Sequence, residues 1–303
     1  MKKWYGNACL LITAIIWGFA FVAQTVGMDY VGPFTFVSAR FFIGAATLLP
    51  LILWNRKKWK TTKTEETAGG KRTLLLGGLC CGVALCVAST LQQIGLQYTT
   101  TGKAGFITTL YVLFVPLLGL LLRRRIPRKI WLCVVLAAVG LYFLSMTGGS
   151  FSLSKGDAFC ALCAFCFAIQ ILVVDYFSPK VNGVYLSALQ FLVCGVIAAI
   201  PMMILEKPTL SALIGGAASI LYAGILSSGC GYTLQIIGQR FAEPTTATLL
   251  MCLESVFSMV GGVLILHQIP TGRELFGAGL MFLAVILAQI PLNQLGRKKA
   301  KRT

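Results

Sequence analysis

The chain has 303 residues, of which 57% are apolar and 12% charged, with a mean hydropathy of +0.83. This composition excludes a soluble globular domain and a disordered chain, and it places the protein in the integral membrane class. A net charge of +17 would point to nucleic acid in a soluble protein; here its placement along the chain decides its meaning.

Ten apolar stretches, each about 18 residues or longer, are expected to cross a bilayer as helices. They cover residues 5–25, 33–54, 73–96, 103–122, 130–147, 156–177, 183–204, 209–232, 244–266 and 274–294. The first, preceded by Lys2 and Lys3, exceeds a signal-peptide core and is read as a retained span. The polar stretch 55–72 reads as a mobile loop, and 147–155 as a short Gly/Ser-rich joint. If the N-terminus is inside, the outer loops hold only Lys103, Lys155, Lys207 and Arg273, and Arg40 lies within a span. Every other Lys and Arg then falls on the inner side, which predicts both termini in the cytoplasm. The charge therefore signals topology and contact with anionic lipid head groups, and nucleic acid is not an expected partner. All eleven cysteines fall inside spans, so no disulfide framework is expected. Cys160, Cys163 and Cys166 share one side of a helix and read as small apolar fillers rather than a metal site. No cofactor is implied.

The chain repeats itself. Residues 91–98 match 234–241 at Leu, Gln, Ile, Gly and the closing aromatic, an offset of 143 that also carries Ile126-Pro127 onto Ile269-Pro270. In the first spans an offset of 150 pairs Gly6 with Gly156 and Phe41 with Phe191. The expected fold is an all-α integral membrane protein of ten transmembrane helices, in two units, 1–147 and 148–303. Five spans are an odd number of crossings, so the second unit enters the membrane inverted, the arrangement that places a binding site at the midplane.

Polar groups at membrane depth are costly and mark candidate sites. Glu254 lies near the middle of the ninth span, with Ser258 and Gly261 on its face. It is read as a proton-binding or substrate-contacting group in a central cavity, against the alternative of a structural carboxylate tied to a neighbouring helix. Arg40, in the second span, suits either an ion pair with Glu254 or a clamp for a substrate carboxylate. Gln92 and Gln93 in the third span correspond to Tyr232 and Gln235 in the eighth as two polar strips, with Gln92 and Gln235 repeat-equivalent. Gln24, Gln170, Gln190 and Gln289 are weaker candidates. Trp17 is an interior aromatic, Tyr111 is the repeat equivalent of Glu254, and Pro116 predicts a kink in the fourth span. Catalytic motifs are missing: His267 is the single histidine, no G-x-S-x-G occurs, and Asp29, Asp157 and Asp175 sit at span ends. An enzyme is not expected.

Trp17-Gly18, Arg40-Phe41, the repeated Gln-x-Ile-Gly-x-x-aromatic stretches and Leu253-Glu254-Ser255-Val256 followed by Gly261-Gly262 carry a resemblance to the EamA family of the drug/metabolite transporter superfamily. Ser255 stands where that family usually has proline. The resemblance covers the whole chain and implies a multi-pass transporter of the cytoplasmic membrane. It further implies export of amino acids or related small metabolites or drugs, by alternating access around a cavity shared by both halves. The alternative is a non-transporting membrane component such as a lipid scramblase or a scaffold.

Overall fold

A computed structural model describes residues 2–61, 70–99, 101–124, 126–145, 154–266 and 271–289. Its helices are α1 (Lys2–Gly27), α2 (Pro33–Thr61), α3 (Lys71–Leu96), α4 (Thr101–Thr109), α5 (Tyr111–Leu121), α6 (Arg128–Ser145) and α7 (Lys155–Phe177). They continue as α8 (Gly183–Pro201), α9 (Leu210–Gly215), α10 (Ala217–Leu221), α11 (Thr233–Gln239), α12 (Pro244–Met251), α13 (Glu254–Leu266) and α14 (Gly272–Gln289). Two π-helical segments, Met202–Glu206 and Tyr222–Tyr232, follow α8 and α10. Eight helical stretches among the described residues are long and apolar enough to cross a membrane, and Leu275–Ala288 is a shorter apolar helix. Residues 147–153 of the expected joint, part of the polar loop (62–69), His267, Ile269-Pro270, the side chain of Gln289 and the tail lie outside the described residues.

Local chemistry sets the helix starts. Ser154 and Asp157 form a reciprocal capping box on α7, and Asn182 Oδ1 accepts from the amides of Val184 and Tyr185 at the start of α8. At the position matching Asn182, α2 is preceded by Gly32, which has no side chain to offer. Glu206, 172 residues after Phe34, supplies the cap instead, accepting from Phe34 N at 2.9 Å, Thr35 N at 2.7 Å and Thr35 Oγ1 at 2.6 Å. Three expectations need correction. Residues 55–61 continue α2, because nothing in them breaks a helix. Pro116 lies inside α5, and the interruption of the fourth span falls at Leu110 instead. The ninth span is likewise interrupted, between Met251 and Glu254.

The two parts of the chain pack through matched contacts. α3 lies against α7 and α1 against α11, while α2 lies along α8 and α6 along α14. A Cβ on Gly6 would meet Phe241 and the Gly238 carbonyl, and one on Gly156 would meet the Gly95 carbonyl and Tyr98. These are the same contacts with the partners' roles exchanged between sequence-matched positions. Phe41 and Phe191, also matched, stack on one another with centroids 5.7 Å apart.

One register step departs from this pattern. Gly82 abuts Val193 and the Gln190 carbonyl, and Gly224 abuts Ile43 and the Arg40 carbonyl. Their partners are 150 apart, so Gly82 and Gly224 are equivalent at an offset of 142, whereas Gly95 and Gly238 are equivalent at 143. One extra residue therefore lies between 224 and 238. The π-helical Tyr222–Tyr232 accommodates it, since widening a helical turn takes up a single inserted residue.

Candidate functional site

The two interrupted helices build the middle of the site. Leu110 and Leu253, 143 apart, both sit in breaks where the backbone tightens: Leu110 N bonds Ile107 O at 3.1 Å and Leu253 N bonds Leu250 O at 3.3 Å. Tyr111 and Glu254 thus each begin a new helix. The Tyr111 hydroxyl donates to Glu254 Oε1 at 3.0 Å. Thr109 Oγ1 lies 2.6 Å from Gly105 O, 2.7 Å from Ser255 Oγ and 3.4 Å from Glu254 Oε1. With one proton to give, Thr109 donates to the nearer carbonyl and accepts from Ser255, which leaves Tyr111 as the main donor to Glu254.

Glu254 and Tyr111 line a central cavity together with Trp17, Arg40, Gln92, Tyr232 and Gln235. The free volume of the cavity is about 30 Å³, room for about two waters. Trp17 Nε1 donates to the Ser227 carbonyl at 3.1 Å, and its ring lies 4.6 Å from Tyr232. The Trp17 bond and that from Thr13 Oγ1 to Gly231 O (3.1 Å) both end on the π-helical segment. Gln92 Nε2 reaches Thr108 Oγ1 at 3.5 Å, and Gln235 Nε2 reaches Gln170 Oε1 at 3.3 Å. The equivalent glutamines thus share the cavity without bonding each other. Gln235 Oε1 is buried and unpartnered, as are both amide atoms of Gln190.

Arg40 is buried to 1% exposure and makes no ion pair with Glu254. Its Nε donates to Ser228 Oγ at 3.3 Å, its Nη1 donates to Gln24 Oε1 at 2.9 Å, and its guanidinium carbon lies 4.8 Å from the Phe41 ring centroid. Gln93 and Ser258 do not line the cavity. Gln93, about 100° around the helix from Gln92, turns to the Gln24 carbonyl at 3.3 Å. Ser258 sits one turn past the restart of α13, half-buried beyond the cavity wall. Gln24, one of the weaker candidates, lines the cavity, and the structure adds Thr108 and Ser227. Thr108 is one turn before Tyr111 and was readable from helical spacing. Ser227 presents its carbonyl to Trp17, for which its side chain gives no signal. Among the described residues no three His, Cys, Asp or Glu side chains cluster to hold a metal.

The EamA-like transporter family model matches this chain twice, over residues 4–146 and 154–289. The chain belongs to the EamA-like transporter family. It is 28% identical over 291 residues to an uncharacterized transporter of Archaeoglobus fulgidus, covering 96% of this chain and 87% of that protein. It is 22% identical to the uncharacterized transporter YoaV of Bacillus subtilis, covering 92% and 94% of the two chains. A crystal structure of a protein 17% identical superposes with a TM-score of 0.75 over 94% of this chain and 97% of its own, a likeness of fold. The chain is thus a multi-pass membrane transporter, and membership of this family implies a small-molecule cargo.

Proposed function

We propose that this EamA-like transporter is a secondary exporter of amino acids or related small metabolites, working in the cytoplasmic membrane by alternating access. Ten spans in two inverted five-helix units, 1–147 and 148–303, with both termini in the cytoplasm, are part of this reading. The exchanged contacts of Gly6 and Gly156 and the paired breaks at Leu110 and Leu253 support it. The observation that carries it is the cavity itself: matched residues of both units, Tyr111 with Glu254 and Gln92 with Gln235, meet around one small space. At about 30 Å³ that space is too small for a metabolite, so the two units must move apart to admit one. Half-helices that end at the site give the backbone a place to bend. Glu254, with Tyr111 as donor and no cation beside it, is the group assigned to carry a proton through the cycle.

The test is substrate uptake into proteoliposomes driven by an imposed pH gradient, with wild-type protein and Glu254→Gln. The expected result is loss of coupled flux in a variant that still purifies as folded protein. Unchanged flux would remove Glu254 from the mechanism, and flux indifferent to an imposed pH gradient would remove the proton.

A further inference from the structure

We infer that the cargo carries a carboxylate and that Arg40, braced by Gln24 and Ser228, receives it; this rests on the transport reading and assigns the chemistry of its substrate. A guanidinium has five N–H hydrogens. The bonds to Gln24 and Ser228 use two of them. Both partners are neutral, and no carboxylate oxygen lies within 4.0 Å of Arg40 among the described residues. A buried cation with no carboxylate in direct contact is costly to hold in a low-dielectric interior. An anion arriving in the cavity removes that cost, and the planar fork of arginine matches a carboxylate with two parallel bonds.

Packing does not require the charge. The position matching Arg40 in the second half is Gln190, buried and neutral, and the flanking Phe41 and Phe191 stack on one another. A neutral side chain thus fills the equivalent niche. The acid is unmatched in the same way, because the equivalent of Glu254 is Tyr111. A nearly symmetric frame therefore carries a cation on one side only, which orients a ligand with one anionic end. Gln24 is built to hold the cation: its Nε2 donates to the Ala20 carbonyl at 3.3 Å, which turns its Oε1 toward Arg40. The facing rings of Trp17 and Tyr232 offer an apolar wall to the rest of the molecule.

The experiment measures saturable binding to the full-length protein in nanodiscs, using acids, their amides and the corresponding amines in three sizes: propanoate, hexanoate and 3-phenylpropanoate. Alanine, leucine and phenylalanine are added as zwitterions. The expected result is that at least one acid or amino acid binds, that its amide and amine bind at least tenfold more weakly, and that Arg40→Gln loses the same preference. Arg40→Lys should recover part of it. If Arg40→Gln does not fold, the acid-against-amide comparison on wild-type protein decides. Amides or amines binding as tightly as acids, no carboxylate binding at all, or an unaltered preference in Arg40→Gln each overturn the assignment. Binding of carboxylates without uptake would instead sink the transport reading and leave the subsite standing.

Discussion

The cap that Glu206 places on α2 allows a double-mutant test in which the two single changes hurt and the pair recovers. Glu206→Ala removes three hydrogen bonds to the first turn of α2, two of them from main-chain amides. Loss of a helix cap costs about 1 kcal/mol, and loss of a negative charge from a helix N-terminus about 0.5 kcal/mol more. Glu206 is half-buried, so the total is set at about 1.5 kcal/mol. At roughly 2 °C per kcal/mol for a chain of this size, melting should fall by about 3 °C. Gly32→Asn would install in cis the cap that Asn182 gives α8, but its Cβ would collide with the Glu206 carboxylate. The Glu206 carboxylate ends a flexible side chain and can swing aside, so the loss expected from this variant alone is that of the displaced Glu206 bonds, smaller than that of Glu206→Ala. In the double variant the new side chain takes the vacated space and the free amides, so stability should return to within about 0.5 kcal/mol of wild type. Thermal unfolding of all four proteins, in one detergent at one scan rate, makes the measurement. Single effects that simply add, within about 0.5 kcal/mol, would refute the reasoning.

Three further outcomes follow from contacts described above. Gly18→Ala puts a methyl 2.8 Å from the Glu254 carbonyl and 2.5 Å from Phe257 Cβ, where main chain has little room to yield. It should cost about 1–3 kcal/mol in thermal unfolding, and a neutral result would show that α1 and α13 separate freely. Trp17→Phe leaves the Ser227 carbonyl without its donor and should cost about 1 kcal/mol in the same assay. The Arg124–Asp175 pair, 2.7 Å apart with Arg124 40% exposed, should be worth less than 1 kcal/mol. Removing it by Arg124→Gln should make no difference in 1 M salt, and a larger salt-independent loss would show an unsuspected buried role.

Hydropathy alone located the helical stretches, because a bilayer leaves a backbone few alternatives. The internal match located more: Gly6, Gly156, Gly95 and Gly238 pair in the alignment and touch in the structure. Glu254 and Arg40 stood out as charges at depth, and both line the cavity. Three things were not legible. Whether Arg40 pairs with Glu254 depends on side-chain direction, and Gln24 captures it instead. Gln92 and Gln93 are chemically alike, and only the rotation of α3 decides which meets the cavity. The helix breaks at Leu110 and Leu253 occur at leucines, good helix formers whose preference is overridden by the packing around them. Pro116 carried the visible signal and sits six residues too late.

The surplus residue in Tyr222–Tyr232 has a consequence for how the carrier rests. On the alternating-access reading proposed above, perfect duplicates would make the inward-facing and outward-facing states related by the two-fold axis and equal in energy. A widened turn in one unit alone, gripped there by Trp17 and Thr13, removes that degeneracy. On that reading the empty carrier rests with one door preferred, and cargo binding has to outweigh the bias before the other opens.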